Sequence, residues 1–206
     1  ISSGGFIPSD NLSNIIINKY QIFVLTLTLL FPIFNFYLFF KIFTRTFNYN
    51  SHHEDLHLGI LILISILFFY FLIFSNESIF SVSLAVISSI ATSGITVYSS
   101  GSDVSIFFIL LTIIGGSLLS TSSGIKYVRF YILLKFSQYE IYRLVKPINI
   151  FNRNLFNSES KIDYEDTMIS FLVFISFIIA IFILSSILTL ENLSFQNSFK
   201  LSILTL

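Results

Sequence analysis

The 206-residue sequence contains no cysteine, which excludes disulfides and thiolate metal sites. Charge is scarce: Asp, Glu, Lys and Arg make up 11% of the residues, where a soluble domain carries roughly 25%. The 11 basic and 11 acidic side chains cancel, leaving no basic field to attract nucleic acid. All 3 histidines fall between His52 and His57, so no Ser/His/Asp arrangement is credible. Phosphate-cradling glycine patterns are absent, and no signal peptide with a charged n-region and cleavage site is visible. The chain opens on Ile1, inside a Ser3-Gly4-Gly5 turn, and is expected to be an internal piece of a longer protein.

What the sequence does hold is hydrocarbon: 54% of residues are hydrophobic and the mean hydropathy is +0.87. Gln21–Phe40, Leu58–Asn76, Val104–Ile125 and Thr167–Leu190 are uncharged runs of the length needed to cross a bilayer. Two further apolar segments, Ser78–Ile90 and Ser194–Leu206, are about 13 residues long, too short to cross and suited to re-entrant helices. Each follows a polar start, Ser75-Asn76-Glu77 or Glu191-Asn192, that can cap a helix and complement its dipole.

The region Ile90–Arg129 joins a Thr92-Ser93-Gly94 turn to a helix-length run broken at Gly115-Gly116. Short helix, glycine turn and lining helix are the parts of an ion filter, in which backbone carbonyls replace an ion's water shell. Non-helical backbone at membrane depth survives only where protein buries it or it lines a cavity. Gly5 and Gly94 lie 89 residues apart, each preceded by small hydroxyl residues and followed by an apolar residue and then an acid, Asp10 or Asp103. Aligning Phe80 with Phe195 and Ser83 with Ser198 pairs Ala91 with Leu206, so a further turn is expected to start just past the last residue. Pro32 and Asn35, inside the first run, predict a kink with a satisfied amide, with pore lining as the alternative.

Lys41 and Arg45, and later Arg143, Lys146, Arg153 and Lys161, predict cytoplasmic loops, with both glycine turns opening outside. Asp10, Glu77, Asp103 and Glu191 then fall externally, against Lys19 and Lys200, where an acidic rim would concentrate cations. Tyr139–Val145 reads as an amphipathic interfacial helix stopped by Pro147, and Asn149–Asp166 as a loop.

The segment Gly115-Gly116-Ser117-Leu118-Leu119-Ser120-Thr121-Ser122-Ser123-Gly124-Ile125-Lys126, with Tyr127-Val128-Arg129 after it, resembles the Trk/Ktr/HKT superfamily of potassium transporters, nearest the TrkH type. Ile1-Ser2-Ser3-Gly4-Gly5-Phe6 is similar to that family's second filter turn, and Ala91-Thr92-Ser93-Gly94-Ile95 to its third, with Ile95 in place of Phe. Tyr139–Pro147 is similar to a further family segment. The resemblance implies an all-α polytopic membrane protein of repeated M1–pore helix–M2 units with re-entrant filter loops. Residues 1–56 would end repeat two (filter turn, M2, cytoplasmic loop) and 57–136 form repeat three (M1, pore helix, filter, broken M2). Residues 137–166 would be a cytoplasmic amphipathic link, and 167–206 the start of repeat four.

The function so implied is potassium uptake, without enzymatic activity or cofactor, across a bacterial inner membrane. Ser3, Gly4, Gly5, Phe6, Thr92, Ser93, Gly94 and Ile95 would form the selectivity filter. Gly115, Gly116, Ser117, Ser120, Thr121, Gly124 and Lys126 would form a gating loop. The expected partners are K⁺, the lipid bilayer, a second copy in a homodimer and a cytoplasmic nucleotide-binding regulatory subunit. Leu118, Leu119, Ser122 and Ser123 replace smaller or glycine residues of the family, which predicts a stiffer, more occluding loop. Lys126 takes the place of the family's basic residue beside that loop, or else anchors the helix end.

The rival reading is a membrane-bound zinc metalloprotease. His53-Glu54-Asp55-Leu56-His57 is an HExxH string, in which two histidines at i, i+4 can bind zinc and the glutamate can activate water. No third-ligand motif is recognisable, and a solvated juxtamembrane cluster explains the same residues. A non-transporting scaffold is the third reading, disfavoured because a scaffold has no use for re-entrant half-helices.

Overall fold

The structure, a computed structural model, describes residues 18–45, 53–72, 78–95, 105–145, 154–156 and 162–206. Among them run eight α-helices: α1 Lys19–Leu30, α2 Phe36–Phe43, α3 His53–Leu72, α4 Ile79–Ile90, α5 Ser105–Ile114, α6 Tyr127–Val145, α7 Tyr164–Leu190 and α8 Phe195–Thr205. Two of them, α3 and α7, are long and apolar enough to cross a bilayer. Their apolar side chains face outward in quantity, with Leu63, Phe71, Leu172 and Phe182 all exposed. Apolar faces exposed to this extent suit lipid or further protein better than water.

The helix starts follow local chemistry. Ser78 Oγ accepts from Ser81 N at 3.3 Å to open α4. Asp163 precedes α7, with Glu165 and Asp166 in the first turn at the positive end of the dipole. Helix α3 begins at His53, so the His-Glu-Asp cluster expected to stand before the span is its first turn, with Glu54 and Asp55 at the dipole's positive end. The expected amphipathic helix at 139–145 is the C-terminal part of one unbroken helix, α6. The run Gln21–Phe40 is interrupted rather than kinked: α1 stops at Leu30 and α2 begins at Phe36. Pro32 has no N–H to carry the helical ladder on, and Asn35 Oδ1 accepts from Tyr37 N at 2.9 Å to start the next helix.

Helix α4 is the centre of the core. It packs against α1, α3 and α5, and Val82, Leu84, Ala85, Val86 and Ile90 are fully enclosed. Ser89 Oγ donates back within the helix to Ala85 O at 2.8 Å, while Ser88 Oγ meets Ser93 Oγ beyond the helix end at 3.1 Å. The other short helix, α8, packs on α7 and α5 and buries Ser198, Ser202 and Ile203.

Candidate functional site

The turn after α4 is a helix C-cap of Schellman form. Ser93 N donates to Ser88 O at 2.9 Å and Thr92 N to Ser89 O at 3.1 Å. The left-handed position of that motif, usually glycine, is Thr92 at φ +58°. A β-branched residue there is strained, and such strain collects at functional sites. Sequence reasoning, which looked to Gly94 for the turn, missed this. Gly94 follows at φ +66° with open space around the position a Cβ would take, so dihedral freedom rather than room calls for glycine. Ser93 is buried, its Oγ 3.1 Å from Ser88 Oγ. Thr92, Ser93, Gly94 and Ile95 thus form one continuous turn. Ser3, Gly4, Gly5 and Phe6, the companion turn expected from the sequence, lie outside the described residues.

The segment between α5 and α6 is non-helical, as its glycines predicted, with Gly115, Gly124 and Lys126 all at positive φ. It is held from four directions. Ser123 N donates to Thr92 Oγ1 at 3.2 Å, which fixes it to the turn after α4. Ser117 N donates to Ile33 O at 2.9 Å, and Thr121 N and Ser122 N donate to Pro32 O at 3.2 and 3.3 Å. The carbonyls released by the α1–α2 break are therefore the partners of the loop's own orphan N–H groups. Leu118 N donates to Glu54 Oε1 at 2.6 Å. From inside, Lys126 Nζ donates to Ser120 O at 3.0 Å, to Ser120 Oγ at 3.2 Å and to Ser122 O. Ser122 Oγ accepts from Gly116 N at 2.8 Å.

Gly116 has no room for a side chain: a Cβ would stand 2.5 Å from both Ile33 O and Ser122 Oγ. Ser117 Oγ is buried without a hydrogen-bond partner among the described residues. Every expected loop residue is thus brought into one cross-braced unit. Ser122, which departs from the family pattern, is a brace, while Leu118 and Leu119 stand exposed at the tip.

The HExxH string is accounted for otherwise. Glu54 is bonded to the loop, and Asp55 Oδ1 accepts from Asn35 N at 3.0 Å across the α1–α2 break. The His57 ring lies 5.1 Å from Phe156 and 6.2 Å from Tyr131, in an aromatic group whose tightest pair is Tyr131–Phe156 at 4.4 Å. Among the described residues no three His, Cys, Asp or Glu side chains gather as a metal site. A separate cleft of about 890 Å³ opens between α5, α6, α7 and α8; apart from Gln196 and Lys200 its walls are Ile, Leu and Phe. The non-helical polar backbone lies apart from it, in the turn after α4 and in the loop between α5 and α6.

No protein-family model and no curated protein matches the sequence. A solved structure does: the crystal structure of the potassium transporter TrkH from Vibrio parahaemolyticus superposes with a TM-score of 0.74 at 18% identity, covering 96% of this chain. The chain shares the TrkH fold. It spans 45% of that transporter's chain, or about half its length.

Proposed function

We propose that the chain is part of a pathway for K⁺ uptake. In this reading the turn at Thr92–Ile95, with its counterpart at Ser3–Phe6, supplies carbonyl ligands to a dehydrated ion, and the segment Gly115–Lys126 is the movable barrier next to it. The observation that carries the reading is the Ser123–Thr92 bond, which sets the non-helical loop directly against the left-handed turn at the end of a buried half-helix. Irregular backbone of this kind, in a chain with lipid-suited outer helices, has its natural place along an ion path. The choice of K⁺ follows from the motif resemblance together with the potassium transporter whose fold the chain shares.

The remaining parts of the proposal follow the same family: M1–pore helix–M2 repeats divided near residues 56, 136 and 166, a bacterial inner membrane, a homodimer, and a cytoplasmic nucleotide-binding partner. Transport needs no catalytic residue and no cofactor, because no bond is made or broken.

The test is complementation by the full-length gene in bacteria deficient in potassium uptake, at low external K⁺. Wild type and His57→Ala are expected to restore growth, and Gly94→Ser to abolish it, since a side chain at φ +66° costs about 1–2 kcal/mol and misaims a carbonyl. No rescue by wild type, with zinc retained on purification and lost in His57→Ala, would refute transport and favour the protease.

A further inference from the structure

We infer that Glu54 is the tether that holds the loop in its barrier position, a role that rests on the transport reading above. A carboxylate in the first turn of a helix ordinarily serves that helix's own free N–H groups. Glu54 instead reaches Leu118, 64 positions along the chain, and accepts its backbone N–H at 2.6 Å. That length is short even for a bond to a charged acceptor.

The tip needs such a bond. Leu118 and Leu119 are 44% and 63% exposed, so packing does not hold the tip itself, and poorly packed backbone opens easily. The loop's other long-range partners are backbone carbonyls of Pro32 and Ile33 and the hydroxyl of Thr92. Glu54 is thus the side chain from another helix that reaches the tip of the loop, while Lys126 fastens the loop from within. The neighbour of Glu54, Asp55, binds Asn35 N on the α1–α2 break. The first turn of α3 therefore holds both irregular segments in register, and a movement of α3 would be felt at the loop through Glu54. Glu54 contacts no ion in this scheme; it positions the barrier.

The experiment uses the full-length protein in liposomes, reading Rb⁺ flux and amide hydrogen exchange of the peptide containing Leu118, for wild type and for Glu54→Ala, Glu54→Asp and Glu54→Gln. An aspartate keeps the charge but draws the acceptor back by about 1.5 Å, one carbon–carbon bond. A glutamine keeps the reach and the acceptor but not the charge. The tether predicts that Ala and Asp accelerate exchange at Leu118 roughly tenfold, as loss of one hydrogen bond of about 1–1.5 kcal/mol requires, and raise Rb⁺ flux, while Gln, which keeps the acceptor in reach, stays close to wild type in both.

Exchange and flux unchanged in both Ala and Asp would overturn the tether, as would Gln behaving like Ala while Asp behaves like wild type. Should the Ala variant fail to fold, the Asp–Gln contrast decides alone. A wild type that carries no Rb⁺ would sink the transport reading, yet faster exchange in Glu54→Asp would still uphold the bond as what holds the loop.

Discussion

Two interruptions sit against each other in this fold, one between α1 and α2 and one between α5 and α6. The first is brief and its N–H groups are met close by: Ile33 N and Phe34 N still reach Leu30 O, Asn35 N is held by Asp55 Oδ1, and the Asn35 side chain caps the next helix. The second runs from Gly115 to Lys126, takes three left-handed residues, and finds partners on α3, on the first break and on the turn after α4. A short break whose N–H groups are met by the preceding turn and by one carboxylate of α3 can be rigid scaffolding. A break that depends on borrowed partners can let go of them, which is what a barrier in an ion path requires. The short interruption also leaves spare the carbonyls of Pro32 and Ile33, to which the long one docks, so each explains the other's presence.

The largest expected effect comes from prying the two apart. Gly116→Ala would place a methyl 2.5 Å from Ile33 O, and overpacking against backbone costs about 1–3 kcal/mol. The expected outcome is a lowered melting temperature together with faster amide exchange at both Ser117 and Thr121; an unchanged melting curve would mean the contact is soft and the interlock loose. An effect of similar size separates the loop's internal brace from the cap of the first break. Lys126→Met strands the acceptors at Ser120 and Ser122, at about 1–3 kcal/mol, and should raise exchange across residues 117–123 while sparing α2. Asn35→Ala removes a helix cap worth about 1 kcal/mol and should fray α2 while leaving the loop's exchange unchanged. If Asn35→Ala loosens the loop as much as Lys126→Met does, the two interruptions are one unit and the contrast between them fails.

Much of this was legible in the sequence because it rests on local chemistry. The short apolar segment at Ser78–Ile90 is a short helix for the reason its length gives, and Ser78 caps it. Gly115 and Gly124 marked the non-helical stretch and do stand at positive φ. Three features were not legible. The left-handed residue at the end of α4 is Thr92, a residue type whose local preference argues against that conformation. The Gln21–Phe40 run read as one span with a kink, because the partners that stabilise a full interruption come from residues 117–122 and from Asp55. The His-Glu-Asp string read locally as a zinc motif or a solvated cluster, whereas its acids are long-range hydrogen-bond acceptors and His57 joins aromatic rings from α6 and Phe156. Residue types on one segment cannot announce a partner that tertiary structure brings from elsewhere.

The central claim is that the loop blocks an ion path while docked on the first break. The measurement that tests it most directly is reversible locking of that contact. Ser117 N donates to Ile33 O at 2.9 Å, and these 206 residues hold no cysteine, so Ile33→Cys with Ser117→Cys, in a background where any cysteine elsewhere in the full-length protein is replaced, places two thiols at the interface. In liposomes carrying the full-length double variant, oxidation is expected to stop Rb⁺ flux and a reductant to restore it. Undiminished flux through protein shown to be cross-linked would contradict the account.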